Sequence, residues 1–331
     1  MRGIVLVGGF GTRLRPLTNS LPKPVLPIGH VPMIARLVRQ LARGGVDDVT
    51  LALGFKPEPF LDVFPDGHDE GVALHYAVEP EPLDTAGAIR FAAEYRGVDD
   101  TFVVANGDVL TDLDVGWLVE RHRGLGGLAT IHLIGVADPS AYGVIDLSPE
   151  GRVRRFVEKP APGTEPSNLI NAGTYVLEPD VIGLIQPDVP VSIERATFPL
   201  LAARHEMYAV ATDDYWIDTG RPELYLQANL DVLAGRRRHD RCDALAEGAI
   251  VGDAVIERSI VGAGAVVESG ACLVESVVLP GARVAGGARV VRSVVMGDVG
   301  SGAVVVDTVI GAEGVVTPGE HLEGARRPEP G

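Results

Sequence analysis

The chain has 331 residues, 46% of them hydrophobic, enough to bury the core of one large or two ordinary domains. Its 29 Lys and Arg stand against 45 Asp and Glu, and the resulting net charge of −16 repels a phosphate backbone at long range, so nucleic acid is excluded as an expected partner. Cys242 and Cys272 are too few for a disulfide framework and show no CxxC spacing. The N-terminus has no charged run before its short apolar stretch, and no stretch approaches the ~20 apolar residues that span a bilayer, so a cytoplasmic protein is expected.

In chain order, Ile4 to Val7 reads as a buried strand followed at once by LVGGFGTRLRPLTNSLPKP, Leu6 to Pro24. In the next segment Met33, Leu37, Val38 and Leu41 share one face of a predicted helix, with Pro32 at its first turn and Gly44 able to end it. Val49 to Leu53, Ala73 to Val78, Phe102 to Ala105 and Leu128 to Val136 follow as short β-rich runs between amphipathic segments. This alternation predicts a Rossmann-like α/β domain with a mixed, mainly parallel sheet, whose ligands sit at the carboxyl ends of strands. A further helix is predicted from Pro222 to Ala234, and RRRHDR, Arg236 to Arg241, reads as a solvated linker.

Beyond Ala249 small and β-branched residues dominate. Units starting at Ser259, Ser276, Ser293 and Thr308 recur at spacings of 17, 17 and 15, with apolar residues about every six. Three sixes make one coil, so a left-handed parallel β-helix is expected, stabilising and assembling the protein without entering its chemistry. The resulting division is 1–235, a linker 236–248, the β-helix 249–320 and a tail 321–331.

Gly8, Gly9 and Gly11 let backbone N–H groups approach an anion, and Arg13, Arg15 and Lys23 add positive charge in an acidic chain. Yet Leu14 stands where a GxGxxG motif has its third Gly, and no GxxxxGK[ST] run exists. On spacing alone a structural turn and a nucleotide site both remain open.

GGFGTRLRPLT with KPVLPIGHVPMI resembles the signature of sugar-1-phosphate nucleotidyltransferases, and EPLDTAGAI at Glu81, NGD at Asn106, FVEKP at Phe156, NAGTYV at Asn171 and WIDTG at Trp216 resemble later blocks of that family in the same order. The KP at Lys23 and the repeat tail are most similar to the mannose-1-phosphate guanylyltransferases. The resemblance implies attack of a sugar 1-phosphate on the α-phosphorus of a nucleoside triphosphate, GTP with mannose 1-phosphate foremost, with Mg²⁺ as cofactor and a homo-oligomeric assembly. It further implies that Leu6, Gly8, Gly9, Gly11, Thr12, Arg13, Lys23, Glu79, Leu83, Asp84 and Gly87 line the nucleotide site. Gly143, Glu158, Lys159 and Asn171 would hold the sugar phosphate, Arg13 and Lys23 would act on the phosphates, and Asp108 and Asp218 would hold the metal. Glucose-1-phosphate adenylyl- or thymidylyltransfer, or transfer to a phosphorylated sugar mimic, would use the same machinery. A non-catalytic regulatory homologue is the alternative of another class, and retention of Arg13, Lys23, Asp108, Lys159 and Asp218 speaks against it. An added acyltransferase activity is rejected, because no histidine lies between Ala249 and Pro318. Asp84 departs from the family block, which usually reads LGTAG; it could cap the following helix or accept hydrogen bonds from guanine.

Overall fold

The computed structural model describes residues 1–9, 11–54 and 57–329, so Phe10 of the loop block and Pro330 and Gly331 of the expected tail lie outside it. Two compact units result, Met1–Gly9 with Ile34–Trp216 and Phe10–Met33 with Ile217–Gly331. They cut across the expected boundary at 235, because most of the glycine-rich loop belongs to the unit that contains the β-helix.

In the first unit the longer strands are β1 (Arg2–Leu6), β2 (Asp48–Leu53), β3 (Val72–Val78), β4 (Phe102–Asn106), β5 (Ala129–Gly135), β6 (Gly143–Leu147), β7 (Val153–Glu158), β8 (Leu169–Leu177) and β9 (Met207–Thr212). They form one mixed sheet in the order β7-β6-β8-β4-β1-β2-β3, with β5 joining β8 to β9. Pairing is parallel through β4-β1-β2-β3 and between β5 and β9, and antiparallel where β8 meets β4 and β5 and where β6 meets β7 and β8. The parallel strands are apolar because helices cover their faces; α1 (Met33–Arg43) and α2 (Asp84–Arg96) are two of these crossovers. Ile4, Ala52, Val104, Ile131, Tyr175 and Phe198 share the main core with Ile89 and Ala92 of α2.

This topology builds one functional edge. β1, β3 and β4 run the same way, so Gly8, Glu79 and Asp108, which follow them, emerge at the same side of the sheet. β8 returns antiparallel, pairing Thr174 with Ala105, which sets Asn171 just beyond the end of β4. Val144 pairs with Ile170 and Gly143 with Glu158, so both of these site residues fall at the same level.

In the second unit, three parallel sheets of five strands each form the faces of the expected left-handed β-helix. Val261, Val267, Leu273, Val278, Val290 and Val305 fill its interior. The repeat positions make a buried hydroxyl ladder. The Oγ of Ser259 accepts from the N–H of Ser276 at 2.9 Å, Ser276 from Ser293 at 3.1 Å, Ser293 from Thr308 at 3.0 Å and Thr308 from Ala325 at 3.2 Å. Each hydroxyl also donates to the carbonyl two residues earlier, so its one proton and one of its two acceptor positions are engaged within the protein. Arg258, Glu275, Arg292 and Asp307, just before these residues, turn the corner with positive φ. Arg258 pairs with Glu275 at 2.6 Å, and Arg292 pairs with both oxygens of Asp307.

Two expectations need correction. RRRHDR is not simply solvated: Arg237 is buried and its Nη1 meets Asp240 Oδ2 at 2.7 Å, because a guanidinium with a carboxylate partner can leave water. The span expected as a tail begins inside the last coil, where His321–Glu323 and Arg326–Arg327 are strands stacked on the coil before. The helix Pro222–Leu233 stands as expected; its Asn229 Oδ1 accepts the N–H of Gly29 at 2.7 Å, fixing the turn after Lys23.

His132, on β5, is buried with only its Nε2 engaged, 2.8 Å from Thr212 Oγ1, and burial pushes its pKa down to about 4. The ring is neutral in the fold and titrates near 6.5 when unfolded, so its contribution is complete above that value and lost as pH falls from about 6.5 to about 4. At ~1.4 kcal/mol per unit, the acid limb should lose about 3 kcal/mol through this residue. Urea unfolding of His132→Gln at pH 7.5 and pH 4 should show that part of the pH dependence gone.

Candidate active site

From Gly11 to Lys23 the glycine- and arginine-rich loop lies within the second unit. Gly11 has φ 59°, and a Cβ there would come within 2.9 Å of Thr18, so the position admits little but glycine. Its carbonyl accepts the Thr18 hydroxyl at 2.8 Å, and buried Leu14 and Leu17 anchor the turn while Thr12 and Arg13 stay exposed. Lys23 is 5% exposed, with its Nζ 3.4 Å from Asp218 Oδ1. The same oxygen accepts the N–H of Gly220 at 2.8 Å. A Cβ on Gly220 would lie 2.8 Å from Arg13 Nη2 and 2.9 Å from Asp218 Oδ1, which explains the glycine closing WIDTG. The structure thus gathers Arg13, Lys23 and Asp218, residues up to 205 positions apart, into one cluster of two cations and a carboxylate. Such a set can grip a polyanion.

At the edge of the first unit, Leu6 ends β1 and its carbonyl accepts the N–H of Gly107, next to Asp108. Gly8 follows, and Gly9 is exposed. Glu79 is buried and accepts the N–H of Leu83 at 2.8 Å, closing the turn between β3 and α2; burial raises its pKa, and the charge of Asp84 adds to the rise. Gly87 is buried in α2, its N–H directed to Val191 O at 3.2 Å, and it has no room for a Cβ beside Leu83. Asp108 is partly exposed just after β4.

Asp84 has a reason that local sequence patterns did not reveal. Its φ is 58°, the left-handed region, and its Oδ1 accepts the N–H of Thr85 at 2.7 Å. Glycine, which the family block usually reads at this place, adopts such a conformation freely, and Asp is among the few other residues that tolerate it. The helix cap position itself is Leu83, which makes no side-chain cap. Asp84→Gly should therefore leave stability nearly unchanged, whereas Asp84→Ala should lose ~1–2 kcal/mol through left-handed strain, measured by chemical denaturation.

The residues expected to hold the sugar phosphate are also in the first unit. β8 is bulged between Asn171 and Tyr175, with Gly173 at φ 79°. Asn171 Oδ1 accepts the N–H of Gly173 at 2.8 Å and its Nδ2 donates to Tyr175 Oη at 3.0 Å, so the NAG block shapes a bulge and leaves one amide hydrogen for a ligand. Glu158 ends β7 and is mostly buried, while Lys159 is exposed with φ 48°, its Nζ 3.7 Å from Glu158 Oε1. Burial, then the nearby Glu194, holds the Glu158 carboxyl above its usual range, and Lys159 opposes them. Of the pair, only Glu158 is largely withdrawn from water.

Glu194 was absent from the expected site. Its Oε2 accepts the hydroxyls of Thr85 and Ser192, each at 2.7 Å, and so ties the first turn of α2 to the segment beside Glu158. Trp216 was quoted only as part of its block; its Nε1 donates to Ala172 O at 2.9 Å, and its ring meets Tyr142 edge-on at 5.8 Å, bracing the bulge. Asn106 Oδ1 is buried without a hydrogen-bond partner among the described residues. Asn106 lay inside a quoted block, whereas Glu194 carried only a Ser-x-Glu spacing that also fits a helix start.

An α/β domain whose first strand runs into a glycine- and arginine-rich loop, joined to a parallel β-helix, defines a nucleotide-handling transferase class. Residues 2–235 match the nucleotidyl transferase family model and residues 233–316 match that of the GlmU-like C-terminal hexapeptide, and the chain belongs to the nucleotidyl transferase family. It is 39% identical over 78% of its length to a mannose-1-phosphate guanyltransferase of Kluyveromyces lactis, covering 72% of that protein. Identity to the corresponding protein of Yarrowia lipolytica is 44% over 68% of the chain and 62% of the relative. Among solved structures, HddC from Yersinia pseudotuberculosis is similar with a TM-score of 0.59 and 32% identity, over 69% of this chain and 97% of that one.

Proposed function

We propose that the protein forms GDP-mannose and pyrophosphate from GTP and mannose 1-phosphate. The observation that carries this is the cluster of Arg13, Lys23 and Asp218 on the loop behind the first strand, a local concentration of cations in a chain of net charge −16. The names of the relatives support the choice of substrates.

In this reaction a phosphate oxygen of mannose 1-phosphate forms a bond to the α-phosphorus of GTP, and the bond from that phosphorus to the bridging oxygen of pyrophosphate breaks. The nucleophile is already an anion, so no side chain must take its proton. The protein's task is to hold two polyanions in line and to offset charge on the leaving group. Arg13 presents an exposed fork to the triphosphate. Lys23, buried and oriented by Asp218, supplies a fixed positive charge to the phosphate in transfer. Leu6, Gly8, Gly9, Gly11, Thr12, Glu79, Leu83, Asp84 and Gly87 line the nucleotide side, while Gly143, Glu158, Lys159 and Asn171 receive the sugar phosphate. Asp108 of the first unit and Asp218 of the second are each a proposed carboxylate ligand for Mg²⁺, which would supply charge neutralisation of the phosphates. Their carboxylate oxygens are hard donors of the kind Mg²⁺ takes, while no group of three or more metal-ligating side chains occurs among the described residues. A homo-oligomer in the cytoplasm completes the proposal; among the described residues no helix is long and apolar enough to cross a membrane.

Pyrophosphate release measured for four nucleoside triphosphates against several sugar 1-phosphates tests the substrates, and the highest specificity constant is expected for GTP with mannose 1-phosphate. A clear preference for ATP or dTTP with glucose 1-phosphate would overturn that pairing. Asp108→Asn should lower turnover by ~10²–10³ at saturating Mg²⁺ with the melting temperature retained, and near-wild-type turnover would remove Asp108 from the metal. Asp218→Asn should lose turnover and stability together, because it removes a carboxylate charge beside a buried ammonium.

Asp84→Asn tests base reading without disturbing the backbone, since Asn also tolerates positive φ and can still accept from Thr85. If the Asp84 carboxylate reads guanine, the ratio of GTP to ATP specificity constants should fall roughly tenfold. An unchanged ratio leaves Asp84 with its turn alone.

A further inference from the structure

The glycine-rich loop is held from a direction that its own sequence does not announce. Arg326, in the last coil of the β-helix, donates through Nη1 to the carbonyls of both Arg13 and Arg15, each at 3.1 Å. One coil earlier, Gly311 lies so close to Pro16 that a Cβ there would come within 2.8 Å of the proline Cβ and 2.9 Å of its carbonyl oxygen. One coil earlier again, Met296 Sδ is 3.8 Å from Ser20 Oγ. These three positions lie on or just past strands of the same face, Val294–Val295, Val309–Ile310 and Arg326–Arg327, which stack in parallel.

From this we infer that the last coils of the β-helix are a positioning element of the reaction, with Arg326 and Gly311 holding the loop in the conformation that presents Arg13. The inference rests on the proposed role of that loop in binding the triphosphate. A guanidinium hydrogen-bonded to two carbonyls is a charge-assisted clamp, and it acts on the backbone of the very residue assigned to the phosphates. Lys23 and its ion pair fix the far end of the segment, and Thr18 closes its middle. The stretch between Gly11 and Lys23 is therefore held both by the ion pair and by the solenoid. This differs from the expectation that the β-helix only stabilises and assembles the enzyme. Arg326 touches no reacting atom; it is a positioning residue, acting through Arg13.

The test uses the full chain with Arg326→Ala, Arg326→Lys and Gly311→Ala, and Arg258→Ala as the control, an arginine of the same solenoid engaged with Glu275. For Arg326→Ala and Gly311→Ala, the specificity constant for GTP should fall roughly tenfold to a hundredfold, since a displacement near 1 Å can have that effect. The KM for mannose 1-phosphate should stay unchanged, and melting temperatures should match that of Arg258→Ala. Amide hydrogen exchange over residues 11–22 should quicken in Arg326→Ala and not in the control. Arg326→Lys, which keeps a cationic donor, should restore part of both losses. Loop exchange and GTP kinetics equal to the control would overturn the inference, and so would an activity loss that follows melting temperature and is not relieved by Lys. Failure of the wild type to turn over any substrate pair would instead overturn the functional reading, and loop exchange in Arg326→Ala would still decide whether the clamp exists. Should Arg326→Ala fail to fold, Gly311→Ala decides by the same kinetic and exchange measurements.

Discussion

A lysine ammonium shielded almost completely from water must find a negative partner, and in this protein Lys23 finds Asp218. Much of the second unit follows from satisfying that pair. The loop has to bring Lys23 inward, so Gly11 takes a left-handed turn and Leu14 and Leu17 are driven into the interior. Asp218 has to end its strand against the loop, so Gly220 gives up its side chain to make room for Arg13. Breaking such a pair by removing one member costs ~3–5 kcal/mol, far more than a surface ion pair would, which makes it a structural restraint as well as a chemical one.

The residues around Glu158 pose a different problem. Burial raises the pKa of Glu158 and the charge of Glu194 adds to the rise, while Lys159, out in solvent, and Arg195 oppose it. A site left in this state gains from a ligand that brings hydroxyl donors and a phosphate together. Asn171 is pre-set for the task, because both ends of its amide are fixed by Gly173 and Tyr175 before any ligand arrives.

Much of this architecture was legible in the chain. Strands covered on both faces are uniformly apolar, so β1, β2 and β4 stood out, and the spacing of Ser259, Ser276, Ser293 and Thr308 marked a ladder that proves to be made of their own hydroxyls. The antiparallel strands β6 and β7 were not named, because each is partly exposed and lacks a continuous apolar run. The backbone angle at Asp84 has no local sequence signature apart from the missing glycine. The clamp on the loop could not be read at all: Arg326 lies 313 and 311 residues from the carbonyls it binds, and nothing in a strand of two arginines records what lies opposite.

The corner residues of the β-helix carry one more consequence. Arg258, Glu275, Arg292 and Asp307 alternate in sign from coil to coil, and each must adopt a left-handed φ that most side chains resist. Coils made of near-identical valine-rich strands offer almost equivalent docking sites to one another, so hydrophobic burial alone would scarcely distinguish the right neighbour from the next one along. A folding chain that skipped a coil would set Arg258 beside Arg292, or Glu275 beside Asp307. In the correct stack Arg258 meets Glu275 and Arg292 meets Asp307 instead, so the alternating charges favour the right neighbour by what exposed ion pairs are worth.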